Sequence, residues 1–174
     1  RPPRSTLFPY TTLFRSVQQL LGLAEAETLA HADVAAVAAE LGLAADTTAA
    51  LIGWDAADGS ARHARLADVI ALSASAFRRD AQVASDGSRT YVLLPQTRSR
   101  PVTSWVRGTI GAMRAELGAH LRAAIAAPVE GLAGVAAARA EVDRVLDSAE
   151  RHPISFPQVT SLAEARTTVL VDEI

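Results

Sequence analysis

The stretch Arg122–Glu150, RAAIAAPVEGLAGVAAARAEVDRVLDSAE, constrains the fold more than any other part of this chain. It opens with an apolar run, Ala123–Ala127, and Pro128, which has no N–H to give a sheet ladder, is expected to end that run. Gly131 and Gly134 then loosen the backbone. From Leu132 a helical period takes over: Leu132, Val135, the stem of Arg139, Val142, Val145, Leu146 and Ala149 share one face. Glu141, Asp143, Arg144, Asp147 and Glu150 fill the other face. A buried strand followed by an amphipathic helix must pack on a sheet, so the segment predicts a soluble α/β domain. Nothing in it is chemically reactive.

Arg1–Ser16, RPPRSTLFPYTTLFRS, resembles residue for residue the translation of a common short-read sequencing adapter. The alternative is a Pro-rich N-terminal arm. Segments of this kind are excluded from fold reasoning, so residues 1–16 are expected to be a disordered artefact, with the natural N-terminus further upstream. Residues 17–44 are read as an N-terminal helical segment and 45–174 as the domain proper.

Setting the first 16 residues aside removes three arginines and leaves 14 basic against 19 acidic residues, a net charge of −5. Every basic residue is Arg. A net acidic domain is a poor nucleic-acid binder in its own right, because phosphate neutralisation needs clustered positive charge. With no Cys, disulfides and Cys-ligated metals are excluded. No apolar run approaches the roughly 20 residues that span a bilayer. A cytoplasmic domain without membrane contact is the expectation.

In chain order, Val17–Leu43 reads as helix with a break near Thr28–Asp33, and Asp33 is placed to cap its second part. Ala49–Trp54, AALIGW, is the first candidate strand, and Asp58-Gly59 turns the chain after it. Arg62–Arg79 reads as helix. Gln82–Ser85 and Ser88–Leu94 read as two strands around a two-residue Asp86-Gly87 turn of type I′, and Pro95 ends the second. Gln96–Pro101 reads as a loop and Val102–Leu117 as the next helix. After the βα unit, a short strand is expected at Gln158–Thr160. A last helix from Leu162 keeps its apolar stripe to Ile174, so the chain is expected to continue beyond it. The resulting order, β-α-β-β-α-β, is that of ferredoxin-like and nucleotide-cyclase-like sheets. Both helices would then lie on one face, with Ala49–Trp54 and Thr90–Leu94 central.

Four segments, AAELGLAADTTAALIGW, TYVLLPQ, the βα stretch above and LAEARTTVLVDEI, resemble the CdaR GGDEF-like domain of PucR/CdaR-type transcriptional regulators. Val129–Ala149 is the most specific piece. One departure is Ala-Ile-Ala-Ala in place of the family's Gly-x-Gly ahead of the Pro. At the hairpin, active diguanylate cyclases carry Gly-Gly-Asp/Glu-Glu-Phe, whereas this chain has Ser85-Asp86-Gly87-Ser88-Arg89. The resemblance implies a catalytically silent domain, not an enzyme and without a cofactor. It also implies self-association as a homodimer, DNA contact only through a separate C-terminal helix-turn-helix, and an unidentified small-molecule effector.

No residue is assigned a catalytic or metal-binding role. Asp55 and Asp58 follow the first strand, where cyclase-like folds place a metal-binding acid. Without a partner acid at the hairpin they cannot build a two-metal phosphoryl-transfer site, and Asp58-Gly59 is read as a turn. Asp55, Asp86, Arg98 and Arg100 are weak candidates for binding a ligand, the arginines because a guanidinium pairs with phosphate or carboxylate. Arg107 belongs with them, although such a run is more often a solvated loop and helix start. His31, His63, His120 and His152 show no metal-ligand spacing. Ser73, Ser75 and Ser104 lack a nucleophile context. Trp54 and Trp105 read as core anchors rather than a ligand-stacking pair.

Two function classes follow. The favoured one is a non-catalytic module passing a state from an upstream sensor to a downstream DNA-binding domain. The alternative is a small-molecule or nucleotide-binding domain with residual cyclase-like activity, using a crevice beside Asp55 and Asp86.

Overall fold

Ala49–Ala56 (β1) is apolar on both faces and is buried along nearly its whole length. A strand of that kind needs neighbours on both edges and cover on both sides. The structure, a computed structural model, describes residues 16–22, 31–57, 63–96, 99–152 and 158–165. In it β1 is the middle of a five-stranded sheet of order β2-β3-β1-β4-β5. The other strands are Gln82–Asp86 (β2), Arg89–Pro95 (β3), Leu121–Val129 (β4) and Val159–Ser161 (β5). β1, β2, β3 and β4 pair antiparallel, and β5 joins the outer edge of β4 in parallel.

The period-2 alternation of β1 sends its side chains to two separate cores. Ala50, Ile52 and Trp54 point to the layer of α3 (His63–Phe77) and α4 (Ser99–Leu117), where Leu66, Ile70, Val106 and Ile110 meet them. Ala49 and Leu51 point the other way, to α5 (Val135–Arg151), α2 (His31–Glu40) and the helical turn 16–21 (α1). Both crossover helices of the β-α-β-β-α-β core therefore share one face, as its order implies. Trp54 meets the ring of Trp105 edge-on at 5.6 Å, and Trp105 stacks on Phe77 at 5.0 Å. Trp105 Nε1 donates to Ser73 Oγ, which also pairs with Thr109 Oγ1, both at 3.0 Å. Trp54 is a fully buried core residue, and Trp105 is partly buried and packs against it with Ser73 as its hydrogen-bond partner.

Gly53 lets α5 lie directly on β1. A Cβ built there would sit 2.3 Å from Val142 Cγ1, so no larger residue fits unless the helix withdraws. This contact sets the height of α5 over the strand ends.

Several boundaries differ from expectation. β4 does not stop before Pro128 but runs to Val129. Its ladder with β1 shifts register between Ala49 and Leu51, and the irregularity accommodates a residue that cannot donate. The hairpin turn is Gly87-Ser88 rather than Asp86-Gly87, since Asp86 pairs with Arg89. Gly87 has φ +53° and Ser88 a negative φ. A type I′ turn needs positive φ at both central residues. A glycine at the first position alone suits type II′. α4 begins at Ser99, inside the expected loop. α1 is described from Ser16, which lies inside the segment set aside, and Ser16 Oγ bonds the Glu40 carboxylate at 2.5 Å. The expected break near residues 28–33 lies partly, and the Asp58-Gly59 turn wholly, outside the described residues. The last expected helix is described only over 162–165.

Candidate functional site

Three strands end together beside α5, and their registers place charges in a row. Asp55 near the end of β1 is opposite Arg89 at the start of β3 and opposite Arg122 at the start of β4. By the alternation of β1 its side chain points to the α5 side, as those of Leu51 and Ala49 do. Arg122 Nε donates to Asp55 Oδ1 at 2.9 Å, and Arg89 Nε lies 3.8 Å from Oδ2. Each oxygen of this nearly inaccessible carboxylate thus faces a guanidinium.

α5 supplies the second layer. Asp143 and Asp147 are one turn apart, so both reach Arg89: Nη1 to Asp143 Oδ1 is 3.3 Å and Nη2 to Asp147 Oδ1 is 2.6 Å. Tyr91 OH donates to the same Asp143 oxygen at 2.6 Å. Arg139 sits one turn earlier on α5. Its Nε is 2.9 Å from Asp143 Oδ2, an ion contact whose angle falls short of a hydrogen bond. Its Nη2 is 3.6 Å from Asp86 Oδ2, and its guanidinium lies 5.4 Å from the centre of the Tyr91 ring. The result is one connected network of three arginines, four aspartates and a tyrosine.

Burial raises the Asp55 carboxyl above its ordinary value, and the Arg122 hydrogen bond and the charges of Arg122 and Arg89 offset only part of that. Tyr91 is pushed up to about 12 by burial and by its bond to Asp143. The guanidinium of Arg89 is also held above its ordinary value, since hydrogen bonding and attraction from Asp147, Asp143 and Asp55 outweigh desolvation.

Of the residues singled out from sequence, Asp55 and Asp86 both join this network, but through different arginines and without touching. Asp86 is half exposed. Arg98 lies outside the described residues, and Arg100 lies in the first turn of α4. Arg107 is exposed on α4, and His120 and His152 are exposed. Arg89, Tyr91, Arg122, Arg139, Asp143 and Asp147 were not predicted to meet. The helical period put Asp143 on the polar face of α5, yet its side chain is only 17% exposed, because that face leans over the strand ends. The hairpin register places Arg89 opposite Asp86, and only the pairing of β1 with β3 places it opposite Asp55.

The five-stranded sheet, with α3 and α4 on one face and α5 on the other, can be set beside known structures. The GGDEF domain of DgcB from Caulobacter crescentus, solved in complex with c-di-GMP, matches it with a TM-score of 0.50 at 18% identity. The match covers 75% of this chain and 85% of that one. The fold is GGDEF-like. No family model matches the sequence, and no curated protein matches it.

Asp55 is the one carboxylate of the β1 end within the network, and two cations already occupy its oxygens. Among the described residues no group of three or more His, Asp or Glu side chains is arranged to hold a metal ion. A cleft of about 440 Å³ lies instead along the outer edge of β4, lined by Ala126, Pro128, Ala138, Glu141 and Leu162 among others. Among the described residues no helix is long and apolar enough to cross a membrane.

Proposed function

We propose that this chain is a non-catalytic, GGDEF-like regulatory domain of the kind found in PucR/CdaR-type transcriptional regulators. It relays a state between an upstream sensor and a DNA-binding domain, and it works as a homodimer in the cytoplasm. The observation that carries the reading is the closure of Asp55 by Arg122 and Arg89. A phosphoryl-transfer site concentrates carboxylates to bind metal ions. Here each oxygen of the buried carboxylate at the end of β1 faces a guanidinium, so that carboxylate is already paired with cations of the chain itself. The GGDEF-like fold and the resemblance of Val129–Ala149 to the CdaR domain support the regulatory assignment. The net charge of −5 over residues 17–174 supports DNA contact through a separate domain.

Calorimetric titration with GTP in the presence of magnesium tests the first half of the reading. No magnesium-dependent heat and no cyclic dinucleotide product are expected. Product formation lost in Asp86→Ala would establish a residual cyclase instead. Band-shift assays on promoter DNA test the second half, and specific, salt-resistant binding by residues 17–174 alone would overturn it.

A further inference from the structure

Arg139 is the one member of the charge network that also touches the N-terminal helix. Its Nη1 donates to the carbonyl oxygen of Gly22 at 3.2 Å, immediately after α1. The same side chain faces Asp86 of the hairpin and Asp143 of its own helix, and it covers the Tyr91 ring. Asp143 in turn holds Tyr91 and Arg89, and Arg89 reaches Asp55. Polar contacts therefore run without a gap from α1 to the end of the central strand.

The packing around α1 gives this path mechanical content. Leu20 and Leu21 are buried in the core beneath α5. Gly22 has φ +65°, and a Cβ there would lie 3.5 Å from the Cβ of Ala136 on α5. α1 therefore cannot shift along α5 without displacing the carbonyl that Arg139 holds. A guanidinium presents five donors in a rigid fork, so one arginine can hold a carbonyl and two carboxylates together. Displacing one of the three partners redistributes the other two.

We infer that Arg139 couples the position of the N-terminal helix to the hairpin and the Asp55 cluster. The inference rests on the reading of this domain as a relay and names the contact through which a change on the N-terminal side reaches the sheet. Its carrier is the one guanidinium shared between Gly22, Asp86 and Asp143.

Amide hydrogen exchange in the full 174-residue chain tests it as a double-mutant cycle. Gly22→Ala strains a positive-φ position and moves its carbonyl. It should speed exchange in α1 and, in the same protein, at the amides of residues 86–91. The hairpin effect should be roughly tenfold, the scale of losing one hydrogen bond to a charged group. In an Arg139→Met background, Gly22→Ala should still loosen α1 but leave residues 86–91 at the rate of their Arg139→Met parent. An equal hairpin effect in both backgrounds, or none in the Arg139 protein, overturns the coupling. If Gly22→Ala does not fold, Ser16→Ala, which removes the bond to Glu40 at the other end of α1, is read by the same comparison. Silence towards magnesium and GTP is measured separately, so the relay contact and the non-catalytic reading fail independently.

Discussion

Arg122 and Asp55, on neighbouring strands of the sheet centre, share a hydrogen bond of 2.9 Å, with only 12% and 8% of their side chains exposed. Two charges held this far from water offset much of their attraction by desolvation, so the pair as a whole contributes little net stability. Its worth is conditional. Arg122 without Asp55 is a buried charge without its carboxylate, and Asp55 without Arg122 keeps only the more distant guanidinium of Arg89.

Removing one partner should therefore cost far more than removing both. Asp55→Ala is expected to lower unfolding free energy by roughly 3–5 kcal/mol in urea denaturation. Asp55→Leu combined with Arg122→Met should lose much less than the sum of the single changes. Strict additivity would show that the two residues do not act as a pair.

Gly53→Ala places a methyl where Val142 already stands, 2.3 Å from its Cγ1. A loss of about 1–3 kcal/mol is expected from this overpacking. Adding Val142→Ala makes room, so the double variant should melt above Gly53→Ala alone. If Gly53→Ala melts like the parent, α5 does not sit on β1 as described.

Tyr91 is raised from 10.0 to about 12 in the folded chain. The phenol is thus favoured in its protonated form on folding. That contribution is complete below the unfolded value and is lost as pH rises through the folded one. Stability should fall between pH 10 and 12 in the parent and fall less steeply in Tyr91→Phe. The near-ultraviolet difference spectrum between the two proteins should place the Tyr91 ionisation near the upper value. A midpoint at the ordinary phenol value would mean that Tyr91 is neither buried nor bonded to Asp143.

Ser73→Ala removes the acceptor of Trp105 Nε1 and the partner of Thr109. A destabilisation of about 1–3 kcal/mol is expected for two neutral hydrogen bonds, together with a change in tryptophan fluorescence as the indole loses its partner. An unchanged melting curve and spectrum would place Trp105 outside the core between α3 and α4.

Much of this architecture is legible in residue order because it depends on local patterns. The apolar run Ala49–Trp54 has only one way to be satisfied, as an interior strand, and the 3.6-residue period of Leu132–Ala149 has only one face to bury. Hairpin chemistry placed β2 beside β3, and the strand order then made the GGDEF-like sheet. Local pattern also set limits. It located the turn one residue early, since Asp-Gly and Gly-Ser are both acceptable turn dipeptides and only pairing across the strands chooses between them. It ended β4 at Pro128, which the bulge opposite β1 carries instead.

The charge network lay beyond such reading. Asp55, Arg89, Arg122, Arg139 and Asp143 are separated by up to 88 positions, and each taken alone resembles an ordinary polar residue at an element end. Residue order by itself determined which segments are strands and helices and that they close into one sheet with both crossover helices on one face. Only the tertiary structure decided that Arg89 and Arg122 flank one carboxylate and that the polar side of α5 leans onto them. Antiparallel register and the close approach at Gly53 set those distances. Both are properties of segments packed together, so neither is present in any segment by itself.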